Sequence, residues 1–260
     1  MSATVSTSPP RIPVRRIGTD DLRWALSKGW ADFNEKRGDL LFIALLYPLI
    51  GLMTAVFAWN DQLLPLIFPL VAGLSILGPA VASGFYELAR RREEGREASW
   101  RHFFDPLLGR GGPTIVWLTI GLAGLFVAWL TAAYLIYLAT MGPDYPAGIG
   151  QFVERVFTTP SGWMLIVLGN LTGAVFATIV LAVSVVSFPL AVDLDSVDAT
   201  TAIDTSLRAF GANTATMLGW GARVAGLLVL GSLPAFIGLA VVLPVLGYAT
   251  WHLYTRLVAR

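Results

Sequence analysis

The sequence predicts an all-α fold: a polytopic transmembrane helix bundle of about six spans, with cytoplasmic and periplasmic amphipathic helices. Three observations predict it. Of the 260 residues, 55% are hydrophobic and only 13% are charged, against about 25% charged in a soluble domain. The missing charge is explained by several uncharged apolar runs of roughly 20 residues, each long enough to cross about 30 Å of hydrocarbon. Those runs are apolar on every side, whereas the strands of a membrane barrel would alternate at every second residue.

Residues 1–20, rich in Pro, Ser and Thr, read as a disordered cytoplasmic tail. They lack an apolar run beside their basic residues, which argues against a cleaved signal peptide. Residues 21–260 read as a single six-span membrane domain. In residues 21–36, Leu22, Leu26, Trp30 and Phe33 recur at helical spacing on one face. Thr19 or Asp20 is the expected cap, and the helix is expected on the membrane surface or against the bundle. The first span is expected at 40–59, kinked at Pro48, followed by the polar turn Asn60-Asp61-Gln62. The second is expected at 63–88, made irregular by Pro65, Pro69 and Pro79. A charged loop follows, with Ser99 as cap of a short helix around 100–104.

The third span is expected at 113–141, with Trp129, Tyr134 and Tyr137 as interface anchors towards its far end. In the next loop Ile149, Phe152, Val153, Val156 and Phe157 share a helical face. Thr159-Pro160 reads as a cap and first-turn proline for the fourth span. That span, 162–192, is longer than one crossing needs, so it should tilt or extend past the membrane. The fifth and sixth are expected at 215–231 and 233–254, the last broken by Pro234 and Pro244.

Lys and Arg set the orientation. They crowd the stretch before the first span (Arg11, Arg15, Arg16, Arg23, Lys28, Lys36 and Arg37) and the 90–112 loop (Arg90, Arg91, Arg92, Arg96, Arg101 and Arg110). The 60–62 turn has none, the 142–161 loop has only Arg155, and the C-terminus has Arg256 and Arg260. This alternation predicts a multi-pass protein of the bacterial cytoplasmic (inner) membrane with both termini cytoplasmic.

Few residues carry candidate chemistry. The chain has no Cys and only two His, His102 and His252. Disulfides, thiolate nucleophiles and Cys-held metals are therefore excluded. No GxSxG elbow, Walker loop or HExxH helix is present, so no catalytic residue, cofactor or metal site is expected. The pattern D-x-D-x-x-D at Asp193, Asp195 and Asp198 has the hard oxygens a divalent cation takes. The alternative is that Asp195 or Ser196 caps the following helix while Asp198 sits in its first turn. A calcium loop starting at Asp193 would need Gly and Glu where Asp198 and Asp204 stand. Arg90, Arg91 and Arg92 are candidate lipid contacts or plain positive-side anchors. Arg223, Asn170 and Glu87 are the candidate intramembrane polar residues. Arg223 either pairs with Glu87 or Asp193, or snorkels to the near surface. Asn170 lies within Gly169-x-x-x-Gly173, a spacing that lets helices pack closely. His252 reads as a hydrogen-bonded interfacial residue, since no second intramembrane ligand is in sight. The basic residues fit the membrane face, so nucleic-acid binding is not expected.

A shift of 177 positions pairs Asp21 with Asp198, Ala25 with Ala202 and Phe33 with Phe210. This is a partial echo between two surface helices that each lead into a span. The stretches VRRIGTDDLRWALSKGWADF, GFYELARRREEGREASWRHFFD and SFPLAVDLDSVDATTAIDTSLRAFGANTATM resemble the DUF2189 family of predicted bacterial integral membrane proteins, from about Val14 onwards. The resemblance implies location and topology, and no activity. Some members are labelled cytochrome c oxidase subunits. A haem–copper catalytic subunit needs several intramembrane His, and only His252 lies near a span, so that role is excluded here. The remaining expectation is a non-catalytic accessory, assembly or scaffold factor of a membrane complex, such as a respiratory one. Its partners would be the lipid bilayer and a membrane protein or a second copy. The alternative is a small-solute transporter or channel.

Overall fold

The computed structural model describes residues 11–35, 69, 75–143, 148–194, 196–233 and 238–259. These residues are helical apart from connections and one isolated antiparallel bridge, Val14–Val258. The expected first span, the 60–62 turn, most of the second span's first half, Asp195 and Pro234 lie outside them.

Helix α1 is Thr19–Glu35. It is followed among the described residues by α2, Gly78–Glu93. A hook comes next, made of a 3-10 turn, Trp100–Phe104, and a short helix α3, Asp105–Leu108. Then come α4, Gly112–Met141, and α5, Ile149–Thr158. Helix α6, Pro160–Ser184, is nearly continuous with α7, Ser187–Asp193. The chain ends with α8, Ala199–Ala212, α9, Thr214–Ser232, and α10, Leu239–Leu257. Among the described residues three helices are long and apolar enough to cross a membrane: α4, α6 running into α7, and α9.

The helix ends follow local chemistry. Thr159 Oγ1 accepts from the Gly162 amide at 3.0 Å and Pro160 opens the first turn of α6, as the Thr-Pro pair predicted. Helix α4 stops at Gly142, whose φ of 80° takes the chain into a conformation that a residue with a Cβ resists. The long fourth apolar run is broken after Ser184. Pro189 has no amide to give Val185. Ser206 of α8 bridges the gap: its Oγ donates to Ala182 O at 2.8 Å and accepts from the Val186 amide at 3.2 Å. The excess length becomes α7, a separate buried turn under α2.

Helix α1 packs along α10. Its buried stripe is Leu22, Ala25, Gly29 and Phe33, rotated from the expected face, and Trp30 is 51% exposed. The reason is Gly29. A Cβ there would lie 2.6 Å from Val245 O and 2.7 Å from the Ala249 amide, so the two backbones meet where the side chain is absent. A bulky Trp30 cannot occupy that seam. The core around it contains the fully buried rings of Trp220, Trp251, Tyr248, Tyr254 and Phe188.

Two further expectations are corrected. Trp129 and Tyr137 are buried rather than interface anchors. Trp129 packs on Phe176 and donates from Nε1 to Pro69 O at 2.7 Å, so its polar edge is satisfied inside the bundle. Tyr137 belongs to a second small cluster with Met141 and Val156 that seats α5. The tail is also tied down from Ile12 onwards. Arg15 N donates to Leu257 O at 2.7 Å and Ala259 N to Pro13 O at 3.2 Å, giving the short bridge to the C-terminus.

Candidate functional site: a charged junction at the Arg-rich end

Most of the described chain's buried charge gathers where α1, α2, α10 and the hook meet. Glu87, 2% exposed, is the deepest acid. Its Oε2 accepts from Arg90 at 2.7 Å and its Oε1 from Arg91 at 2.7 Å. Arg91 also reaches Asp105 Oδ2 at 2.7 Å, the oxygen that lies 3.0 Å from His102 Nδ1. Arg92 turns the other way, to Asp32 Oδ1 at 3.1 Å and to Glu35 of α1. The second carboxylate oxygen of Asp32 is 2.8 Å from His252 Nε2, and Glu93 Oε1 stands 3.8 Å from the other ring nitrogen. Trp24 meets the His252 ring edge-on at 5.7 Å, and the Arg256 guanidinium sits 4.1 Å over Trp24.

The local sequence explains this placement. Residues 87, 90 and 91 are three and four apart on α2, so Glu87 faces both guanidiniums across one turn. Arg92, one step further round the helix, is aimed at α1 instead. Each of the three arginines has only a modestly exposed side chain, 16–19%. Their charge is answered by carboxylates of this chain.

The other candidates are apart from the junction. Asn170 is exposed and its Nδ2 donates to Ile166 O of its own helix at 2.7 Å. A Cβ on Gly173 would lie 3.2 Å from the Trp129 ring, while none of the described residues comes within 4 Å of one on Gly169. Arg223 is half-buried and Nη1 donates to Gly219 O at 2.8 Å, one turn back towards the start of α9. Among the described residues it forms no ion pair. Glu87 is held by Arg90 and Arg91, and Asp193 accepts from Tyr254 Oη at 2.8 Å.

Among the described residues no cluster of three His, Asp or Glu has a geometry that could hold a metal. Asp198 is itself the cap of α8, replacing the expected Asp195 or Ser196: its carboxylate accepts from the Thr201 amide at 2.8 Å. The Thr200 hydroxyl, then the Thr201 amide and hydroxyl, hold its carboxyl down to about 2.

Sequence reasoning missed Asp32 and Asn213. Asn213 Oδ1 accepts from the Ile17 amide at 2.8 Å, and Nδ2 donates to Arg15 O and Ala209 O, both at 3.0 Å. An Asn in the sequence signals a helix boundary well enough. Its partners 196 and 198 positions away leave no trace in the pattern.

Long apolar helices closed at one end by paired charge define an integral membrane protein of the α-helical class. Residues 67–193 match the family model of DUF2189, "Predicted integral membrane protein". The resemblance read from the sequence is thus shown over that stretch. No curated protein and no solved structure matches the chain.

Proposed function

We propose that this protein is a non-catalytic accessory, assembly or scaffold factor of a membrane complex. In this reading it spans the bacterial inner membrane six times with both termini in the cytoplasm. The observation that carries it is the use of charge: every buried or half-buried acid or base among the described residues is engaged by a group of this chain. Groups that serve transport or acid–base chemistry are expected to face a cavity or a substrate. Here the charges of the junction join α1, α2, α10 and the hook to one another, and the others bond backbone or hydroxyl groups of this chain.

The orientation rests on the crowding of Lys and Arg before the first span and in the 90–112 loop. Arg90, Arg91 and Arg92 act in this reading as clamps of the junction rather than as lipid contacts. Arg223 snorkels, and Gly173 lets α6 approach Trp129. The partner is a membrane protein or a second copy of the chain. Purification in mild detergent tests the proposal: a partner or a second copy should co-elute in stoichiometric amount. Isolation as a lone chain in every mild detergent contradicts it.

A further inference from the structure

The hook between α2 and α4 presents an apolar surface that the fold does not bury. Trp100 is 57% exposed, Phe104 43%, Leu107 49% and Leu108 84%. This is not a loose loop. Phe103 packs edge-on against Phe85 at 5.0 Å, and its ring occupies the space a Cβ on Gly84 would need. Pro106 is buried, and Asp105 is held by both Arg91 and His102. The four apolar side chains are therefore fixed outward by a docked backbone.

What covers them follows from their neighbours. Residue 108 lies four positions before α4, whose own exposed side begins with Val116, Trp117 and Ile120. In a span, such a side faces lipid. Helix α4 has 30 residues, about 45 Å at 1.5 Å per residue, and so overruns about 30 Å of hydrocarbon. Its first turns, and the hook with them, therefore fall at headgroup level. Trp, Phe and Leu on one side with Arg beside them is the composition of a segment seated in that boundary. Arg101 is exposed and shares its guanidinium between the solvent-facing Glu97 and the Ser99 hydroxyl, and exposed Arg110 has no partner among the described residues.

We propose that the Trp100–Leu108 hook is seated in the headgroup region of the leaflet at the Arg-rich end, and that Arg101 and Arg110 select anionic phospholipid there. The contact needs only membrane insertion and is independent of the accessory role. It moves the lipid contact from the arginine triplet, whose charges are answered internally, to two exposed arginines, of which Arg101 shares a solvent-facing carboxylate and Arg110 has no partner among the described residues.

The absence of Cys makes the test direct. Full-length Leu108→Cys, labelled with an environment-sensitive dye, is reconstituted into phosphatidylcholine vesicles with and without phosphatidylglycerol. Ser196→Cys, also exposed, is the solvent control. The expected result is quenching by lipids carrying a shallow nitroxide and shielding from aqueous iodide. Spin-labelled phosphatidylglycerol should quench better than spin-labelled phosphatidylcholine, by up to about fivefold. The preference should vanish in the background R101Q/R110Q. Iodide quenching equal to that at Ser196→Cys overturns the proposal. So does a dye reached by neither quencher, which would mean that protein covers the hook. Equal quenching by the two lipids overturns the anionic selection.

Discussion

Asn213 accepts from the Ile17 amide and donates to the Arg15 and Ala209 carbonyls, and it is only 6% exposed. Asn213→Asp keeps the acceptor and loses both donors, placing a carboxylate against two carbonyls. The loss should be about 2–3 kcal/mol, seen as a lowered unfolding midpoint. Asp198 gives a pH prediction. Its folded-state pKa of about 2 lies below the ordinary aspartate value of about 3.9. The cap's contribution is therefore complete above pH ~4 and is lost as pH falls towards 2. Asp198→Ala should cost about 1 kcal/mol at neutral pH, whereas Asp198→Asn keeps the cap. A melting series across that acid range should show the same loss of Asp198's share of the pH dependence in both variants, the other carboxylates keeping theirs. At this scale the sequence was legible where partners are neighbours, as at Thr159 with Gly162. It was silent on Asn213 and Asp32, whose partners come from other elements.

Helix α1 shows how a correct element can carry a misassigned face. Its helical period was evident, but periodicity counts apolar side chains and gives no weight to Gly29. The contact with α10 is made there by backbone atoms, which pulls Leu22, Ala25 and Phe33 inward and leaves Trp30 outside. Gly29→Ala should therefore destabilise by about 1–3 kcal/mol through overpacking. Gly211→Ala, on α8 where none of the described residues would come within 4 Å of the added Cβ, should be neutral or stabilising by up to about 1 kcal/mol. Comparing the two melting midpoints separates packing from helix propensity. The fourth apolar run makes the same point from the other side. Its excess length was legible, but the break after Ser184 depends on Ser206, 20 positions beyond Val186. Of the identities in the 177-residue echo, Ala25 and Ala202 are both fully buried, whereas Phe33 is buried and Phe210 half-buried, and Asp21 is half-buried and Asp198 exposed.

Across the whole molecule, composition and Lys/Arg placement made the membrane class legible, and the long apolar helices and the DUF2189 match agree with it. What composition does not report is how charge is used. Seven arginines and lysines before the first span and six arginines in the 90–112 loop read alike as positive-side anchors. In the fold Arg90, Arg91 and Arg92 are clamps, while Arg110 stays open. A reporter fused after Arg260 should give a cytoplasmic signal, and a periplasmic one contradicts the six-span arrangement. Whether the buried charge holds the chain's own elements together is decided by the melting temperature of Glu87→Gln in detergent. The substitution leaves Arg90 without its carboxylate and Arg91 with Asp105 alone. The predicted loss is about 3–5 kcal/mol, a fall of roughly 6–20 °C for a chain of this size. An unchanged or raised melting temperature, as for a carboxylate kept for binding at the expense of stability, would contradict it.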